Sequence, residues 1–83
     1  MFKKELKSIL EYNIPAVEIT KIEYKIVKRH KRRAFVNVYV HFKYKGGVGT
    51  YECLGLDIKF NLNYYYVNIY RCESYIRECI GEV

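Results

Sequence analysis

The run Ala34-Phe35-Val36-Asn37-Val38-Tyr39-Val40-His41-Phe42-Lys43-Tyr44 restricts the possible folds of this chain more than any other stretch. Its even positions are all apolar or aromatic, with Val36, Val38, Val40 and Phe42 at the centre, while Phe35, Asn37, Tyr39, His41 and Lys43 alternate with them. A period of two over that length is satisfied by an extended strand with one face buried. Lys45-Gly46-Gly47 ends the strand, and a glycine pair readily adopts the positive φ angles of a tight hairpin turn. An antiparallel partner is therefore expected from about Gly49 to Phe60. Leu54, Leu56, Ile58 and Phe60 face inward in this reading, and Tyr51, Cys53, Gly55, Asp57 and Lys59 take the other side.

Upstream, Ala16 to Lys28 also alternates, but Val17 and Ile19 are odd whereas Ile22, Tyr24 and Ile26 are even. A slip of one residue flips every side chain, so a bulge near Thr20-Lys21 reconciles the two halves. Lys28-Arg29-His30-Lys31-Arg32-Arg33 follows, with five fixed positive charges in six residues. Between two strands such a run is expected at an exposed hairpin tip, where its mutual repulsion is relieved by water. Ahead of all this, Phe2, Leu6, Ile9, Leu10 and Asn13 recur at helical spacing, with Lys3, Lys4, Lys7 and Ser8 on the opposite side. The spacing predicts an amphipathic helix over 2–12 that stops near Asn13, because Pro15 disfavours helical geometry at Ile14.

Asn63 to Arg71 is the densest β-favouring run in the chain, and it reads as a fourth strand. Tyr65, Val67 and Ile69 then point to the core, and Tyr64, Tyr66, Asn68 and Tyr70 point away. In the tail, Cys72, Tyr75, Ile76, Cys79 and Ile80 are spaced for a short helix ending near Gly81. The fold class expected from these elements is α+β: an N-terminal helix packed on a curved four-stranded antiparallel meander, with a short C-terminal helix. The core would hold Ile22, Ile26, Val36, Val38, Val40, Leu54, Leu56, Ile58, Val67 and Ile69. The order helix, three strands, helix is that of double-stranded RNA-binding domains, which grip phosphates with a basic hairpin loop and a lysine-rich second helix. The extra strand, and a tail carrying Glu73, Arg77 and Glu78 in place of a lysine cluster, set this chain apart from them.

At 83 residues the chain is a single domain with a thin core. No apolar run approaches the roughly 20 residues that cross a membrane, and Met1-Phe2-Lys3-Lys4-Glu5 leads straight into amphipathic sequence, so a cytoplasmic protein with no membrane partner is expected. Cys53, Cys72 and Cys79 are odd in number and form no Cys-x-x-Cys pair, which suits buried thiols; neither a metal site nor a cofactor is expected. Glycine-rich phosphate loops, nucleophile elbows and His-Glu-x-x-His motifs are missing. His41, with Tyr39 and Asp57 on its side of the sheet, is the best acid–base candidate, yet one histidine and one aspartate define no nucleophile, so a non-enzymatic protein is expected.

The net charge is +6, and residues 21 to 45 carry nine Lys or Arg against the single Glu23. A local excess of that size attracts phosphates or an acidic protein surface. The expected binding residues are accordingly Lys28, Arg29, Lys31, Arg32 and Arg33 at the tip, with Tyr39, His41, Lys43, Tyr64, Tyr66 and Tyr70 on an aromatic sheet face. Tyr and Arg favour protein interfaces, and the reading placed first is a small inhibitor, carried by a phage or mobile element, that docks on a host protein or nucleoprotein complex. Direct binding of RNA or single-stranded DNA is the alternative, with phosphates on the tip and bases stacked on tyrosines. A homodimer through the tyrosine-rich face is compatible with both.

Overall fold

The computed structural model describes residues 2–31, 33–58 and 63–82. Its elements run α1 (Phe2–Asn13), β1 (Val17–His30), β2 (Arg33–Tyr44), β3 (Gly47–Ile58) and α2 (Asn63–Ile80). The strands form one antiparallel sheet in the order β1-β2-β3, and both helices cover the same face of it. Long strands make a long molecule, 43 × 21 × 19 Å.

The α+β class holds, but the sheet has three strands rather than four. Asn63 to Tyr70 begins an 18-residue helix, α2, instead of a strand. The physical reason is a stripe that crosses the boundary placed at Arg71. Ile69, Cys72, Ile76 and Cys79 recur at three and four residues, and each is buried or half-buried against the sheet. Helix α1 lies over β1, leaving the β3 half of the apolar face to be covered, and a fourth strand beside β3 would have left it wet. Burial of that stripe outweighs the β-propensity of three consecutive tyrosines. The helix ends at Gly81, whose φ of +83° permits a Schellman turn: Gly81 N–H donates to the Glu78 carbonyl at 3.2 Å and Glu82 N–H to the Arg77 carbonyl at 2.8 Å.

The expected N-terminal helix and its stop are observed, with Leu6, Leu10 and Ile14 fully buried. So is the bulge at Thr20: Ile19 pairs with Phe42 and Lys21 with His41, which keeps Val17, Ile19 and Ile22 on one face. The Thr20 hydroxyl donates to the His41 carbonyl at 3.2 Å across that irregularity. A second bulge, at Val27, and a third, opposite Asn37 at Leu54-Gly55, are new.

The third bulge corrects the reading of β3. Leu54 is 63% exposed, whereas Tyr51 and Cys53 lie on the core side. Before the bulge the odd residues face in, and beyond it Leu56 does, so a single parity fails for the strand. Gly55 sits at φ +68°, and its N–H donates to Asn37 Oδ1 at 2.9 Å. Ile26 also departs from its expected place, being 49% exposed next to the Val27 bulge. Ile58 and Val67, both expected in the core, have side chains outside the described residues, as does Phe60 entirely.

Where α2 meets the sheet, Phe42 stacks on Tyr44 at 6.0 Å and meets Tyr75 edge-on at 6.4 Å, and Tyr75 lies 5.6 Å from Tyr51. The far ends of the helices are tied by polar bonds. Asn13 Nδ2 donates to Glu73 Oε1 at 2.6 Å, and Arg77 Nη2 donates to the Asn13 carbonyl at 3.1 Å, placing a cation on the C-terminal end of α1.

Candidate functional site

Strand β1 is an edge strand, and an uncovered edge invites further pairing. Helix α1 closes part of it with two side chains one turn apart. Lys7 Nζ donates to the Ile19 carbonyl at 3.1 Å, Glu11 Oε2 accepts from the Ile19 N–H at 2.8 Å, and the two side chains lie 3.9 Å from each other. This clamp fixes α1 along β1 and brings Lys3, Lys4 and Lys7 beside Lys21. The four lysines line a groove of about 290 Å³ floored by Ile19 and Ile22. Lys3 also lies over the Tyr24 ring, 5.3 Å from its centroid.

From this groove the charge continues along β1. Lys25, Lys28 and Arg29 are exposed on the strand, and Lys31 is exposed in the turn that follows, at φ +50°. The turn is tighter than the six-residue basic run, so Lys28 and Arg29 belong to β1 and Arg33 opens β2. Arg32 and the side chain of Arg33 lie outside the described residues. Eight residues separate Lys21 from Arg29, about 26 Å at roughly 3.3 Å per residue. Among the described residues, Lys3, Lys4, Lys25, Lys28, Arg29 and Lys31 have no carboxylate partner, whereas Lys7 is held by Glu11 and Lys21 lies 3.7 Å from Glu23. The result is a basic border from the flank of α1 to the hairpin tip.

The sheet face away from the helices has a different character. His41 Nε2 lies 2.7 Å from Glu23 Oε1, and its Nδ1 lies 3.0 Å from Thr50 Oγ1. With a carboxylate on Nε2, the neutral ring carries its proton there and accepts from the Thr50 hydroxyl at Nδ1. The His41 hydrogen bond, followed by the Lys21 ammonium, holds the Glu23 carboxyl below its ordinary range. Asp57, expected on the same side of the sheet, pairs in register with Phe35, farther along, and its side chain lies outside the described residues. One row toward the tip, Tyr39 stands between Glu23 and Glu52 in the cross-strand register, and its hydroxyl accepts from Asn37 Nδ2 at 3.3 Å. This row presents carboxylates on both sides of the ring. Lys43 is exposed near the other end of β2.

The continuous tyrosine face does not form. Tyr64, Tyr66 and Tyr70 belong to α2, on the helix-covered side of the sheet, while Tyr39 and His41 are on the other side. Tyr70 is 75% exposed on that helix, and the side chains of Tyr64 and Tyr66 lie outside the described residues. What the sequence did not reveal is the groove. Lys3, Lys4 and Lys7 read as a solvated helix face and Lys21 as the outer side of a strand; only the clamp on Ile19 brings them together.

The cysteines are core or near-core groups, and Cys72 is fully buried. Burial pushes its thiol up to about 12, aided by Glu73 and Cys53, which is the opposite of what a nucleophilic or ligating thiol needs. Among the described residues no group of three or more His, Cys, Asp or Glu is placed to hold a metal ion, and no helix is long and apolar enough to cross a membrane. Compared with protein-family models, with curated proteins and with solved structures, the chain matches none.

Proposed function

We propose that this protein binds nucleic acid through the phosphate backbone, along the basic border that joins the α1–β1 groove to the β1–β2 hairpin tip. One observation carries the reading: lysines from two neighbouring elements, α1 and β1, converge on a single groove, and beyond it Lys25, Lys28, Arg29 and Lys31 continue to the tip with no carboxylate partner among the described residues. Charges confined to one loop would suit a single acidic pocket on a protein. Charges distributed along a strand suit a polymer of regularly repeated anions. The inhibitor reading drew its strength from a tyrosine face continuous with Tyr39 and His41, and α2 removes Tyr70 from that surface.

The test is fluorescence anisotropy with labelled DNA and RNA, single- and double-stranded, between about 50 and 200 mM salt. About five phosphate contacts predict an affinity that falls roughly 10²–10³-fold over that range. Lys28→Gln/Arg29→Gln/Lys31→Gln should weaken binding about tenfold or more at the lower salt and flatten the salt slope by roughly 2–3, about one per lost contact. Absence of binding to every oligonucleotide at low salt overturns the reading. If the protein instead captures a protein with little salt dependence, the docking reading takes its place, with exposed Ile26, Val27 and Leu54 toward the tip end of the sheet as its contact residues.

A further inference from the structure

We infer that the ligand of the basic border is a nucleic-acid duplex, read by its backbone, rather than a single strand held by base stacking; this rests on the nucleic-acid reading above. The first ground is where the aromatic rings are. Non-specific binding of single strands combines a basic track with rings on which successive bases stack. Here the rings and the cations are largely separated. Tyr39 lies between Glu23 and Glu52, whose carboxylates repel the phosphates that a stacked base would bring with it. Phe42, Tyr44 and Tyr51, on the helix-covered face, are linked ring to ring with Tyr75 of α2. Tyr70 is exposed on α2, across the molecule from the open sheet face. Tyr12 is 86% exposed on α1, but at 100° per residue it points about 140° away from Lys7. Among the described residues two rings adjoin a lysine of the path, and both are half-buried: Tyr24, whose face is already covered by Lys3 at 5.3 Å, and Phe35, which pairs with Lys28 in register.

The second ground is rigidity. The groove lysines are carried by a helix whose Leu6 and Leu10 are fully buried and whose Lys7 and Glu11 are bonded to Ile19. The remaining cations, apart from Lys31 in the turn, sit on β1, paired with β2 from Val17 to His30. Their spacing is therefore fixed before any ligand arrives. A duplex matches a fixed array without first losing its own conformational freedom, and it presents about one charge per 1.7 Å of axis. A flexible single strand must be ordered onto the array, and without stacking little offsets that ordering.

The deciding measurement compares each duplex, DNA and RNA, with its own constituent strands at one ionic strength. Either duplex should bind at least about tenfold more tightly than its strands, with little dependence on sequence. Tyr39→Leu and Phe35→Leu, which keep an apolar side chain without the π face, should change affinity less than about twofold, since loss of a stacked base would cost at least about fivefold. Single strands binding as tightly as duplexes, or a tenfold loss in either leucine variant, overturns the inference while leaving nucleic-acid binding standing. Failure of all forms to bind overturns both together. Circular dichroism of the leucine variants, matched to the parent chain, certifies that any loss is one of contact and not of fold.

Discussion

Two glycines of β3 show how differently the same residue can be required. At Gly49 a Cβ would overlap the Phe42 ring, and Phe42 is buried, stacked on Tyr44 and edge-on to Tyr75. At Gly55 a Cβ meets nothing, and the requirement is the φ of +68° at the bulge. Gly49→Ala is expected to destabilise the protein by about 1–3 kcal/mol through overpacking, and no other side chain should do better. Gly55→Ala should cost about 1–2 kcal/mol, part of which Gly55→Asn recovers because asparagine tolerates the left-handed region. Urea midpoints of the three variants separate the two causes. Two buried acids make stability depend on alkaline pH. Burial pushes Cys72 from 9.0 to about 12 and Tyr51, beside Cys53, from 10.0 to about 12. Both groups are neutral when protonated, and both ionise more readily in the unfolded chain. Their stabilisation is therefore whole below pH 9, declines as the unfolded chain begins to lose its protons, and is gone above about pH 12. Urea titrations at pH 8 and pH 10.5 should show the midpoint falling, and Cys72→Ala, though less stable throughout, should show a smaller fall.

At the scale of elements, the clamp on Ile19 is the contact on which the placement of α1 turns. Glu11 satisfies the N–H of an edge residue and Lys7 its carbonyl, so neither is a decorative surface charge. Glu11→Ala leaves the N–H without its acceptor and should cost about 1–3 kcal/mol by chemical denaturation, whereas Glu5→Ala, on an exposed position of the same helix, should cost less than about 0.5. Helix α1, strand β2, the Thr20 bulge and the turn at Gly46 were legible in the sequence because each is declared by its own residues: a stripe closed by a proline, an unbroken alternation, a change of parity, a glycine pair. Helix α2 was not, because what decides it lies outside the tyrosine run. The apolar stripe continues from Ile69 through Ile76, and the uncovered half of the sheet supplies the burial that makes it count. Strand β3 failed for a related reason. Leu54, Leu56 and Ile58 invite one parity, and only the pairing of Val36 with Leu56 and Val38 with Cys53 reveals the residue inserted between them. In the candidate site, the tip was visible in composition alone, while the groove and the partners of His41 required the register of three strands and the docking of a helix.

The whole molecule runs helix, three strands, helix, an order that a fourth strand would have broken, although α2 carries only Arg71 and Arg77 as cations against Glu73 and Glu78. Its cations have been placed instead along one long margin of a body 43 Å long. That length has a consequence for cooperation between the two ends of the margin. The groove and the tip are about 26 Å apart along β1, more than twice the Debye length of about 10 Å at 0.1 M salt, so neither cluster feels the repulsion of the other and neither raises the other's local potential. With only Lys25 on the strand between them, they behave as two weak sites on one rigid spacer, which is a bivalent receptor. Once one end of a ligand is seated, the other is presented at an effective concentration set by geometry, and avidity arises without any new contact. A ligand too short to bridge them forfeits that gain entirely. At 3.4 Å per step, duplexes shorter than about 8 base pairs should bind only as well as the tip-neutralised protein binds long ones, and affinity should rise steeply, not gradually, as the length passes that threshold. A calorimetric series over duplex length reads the separation of the two clusters directly.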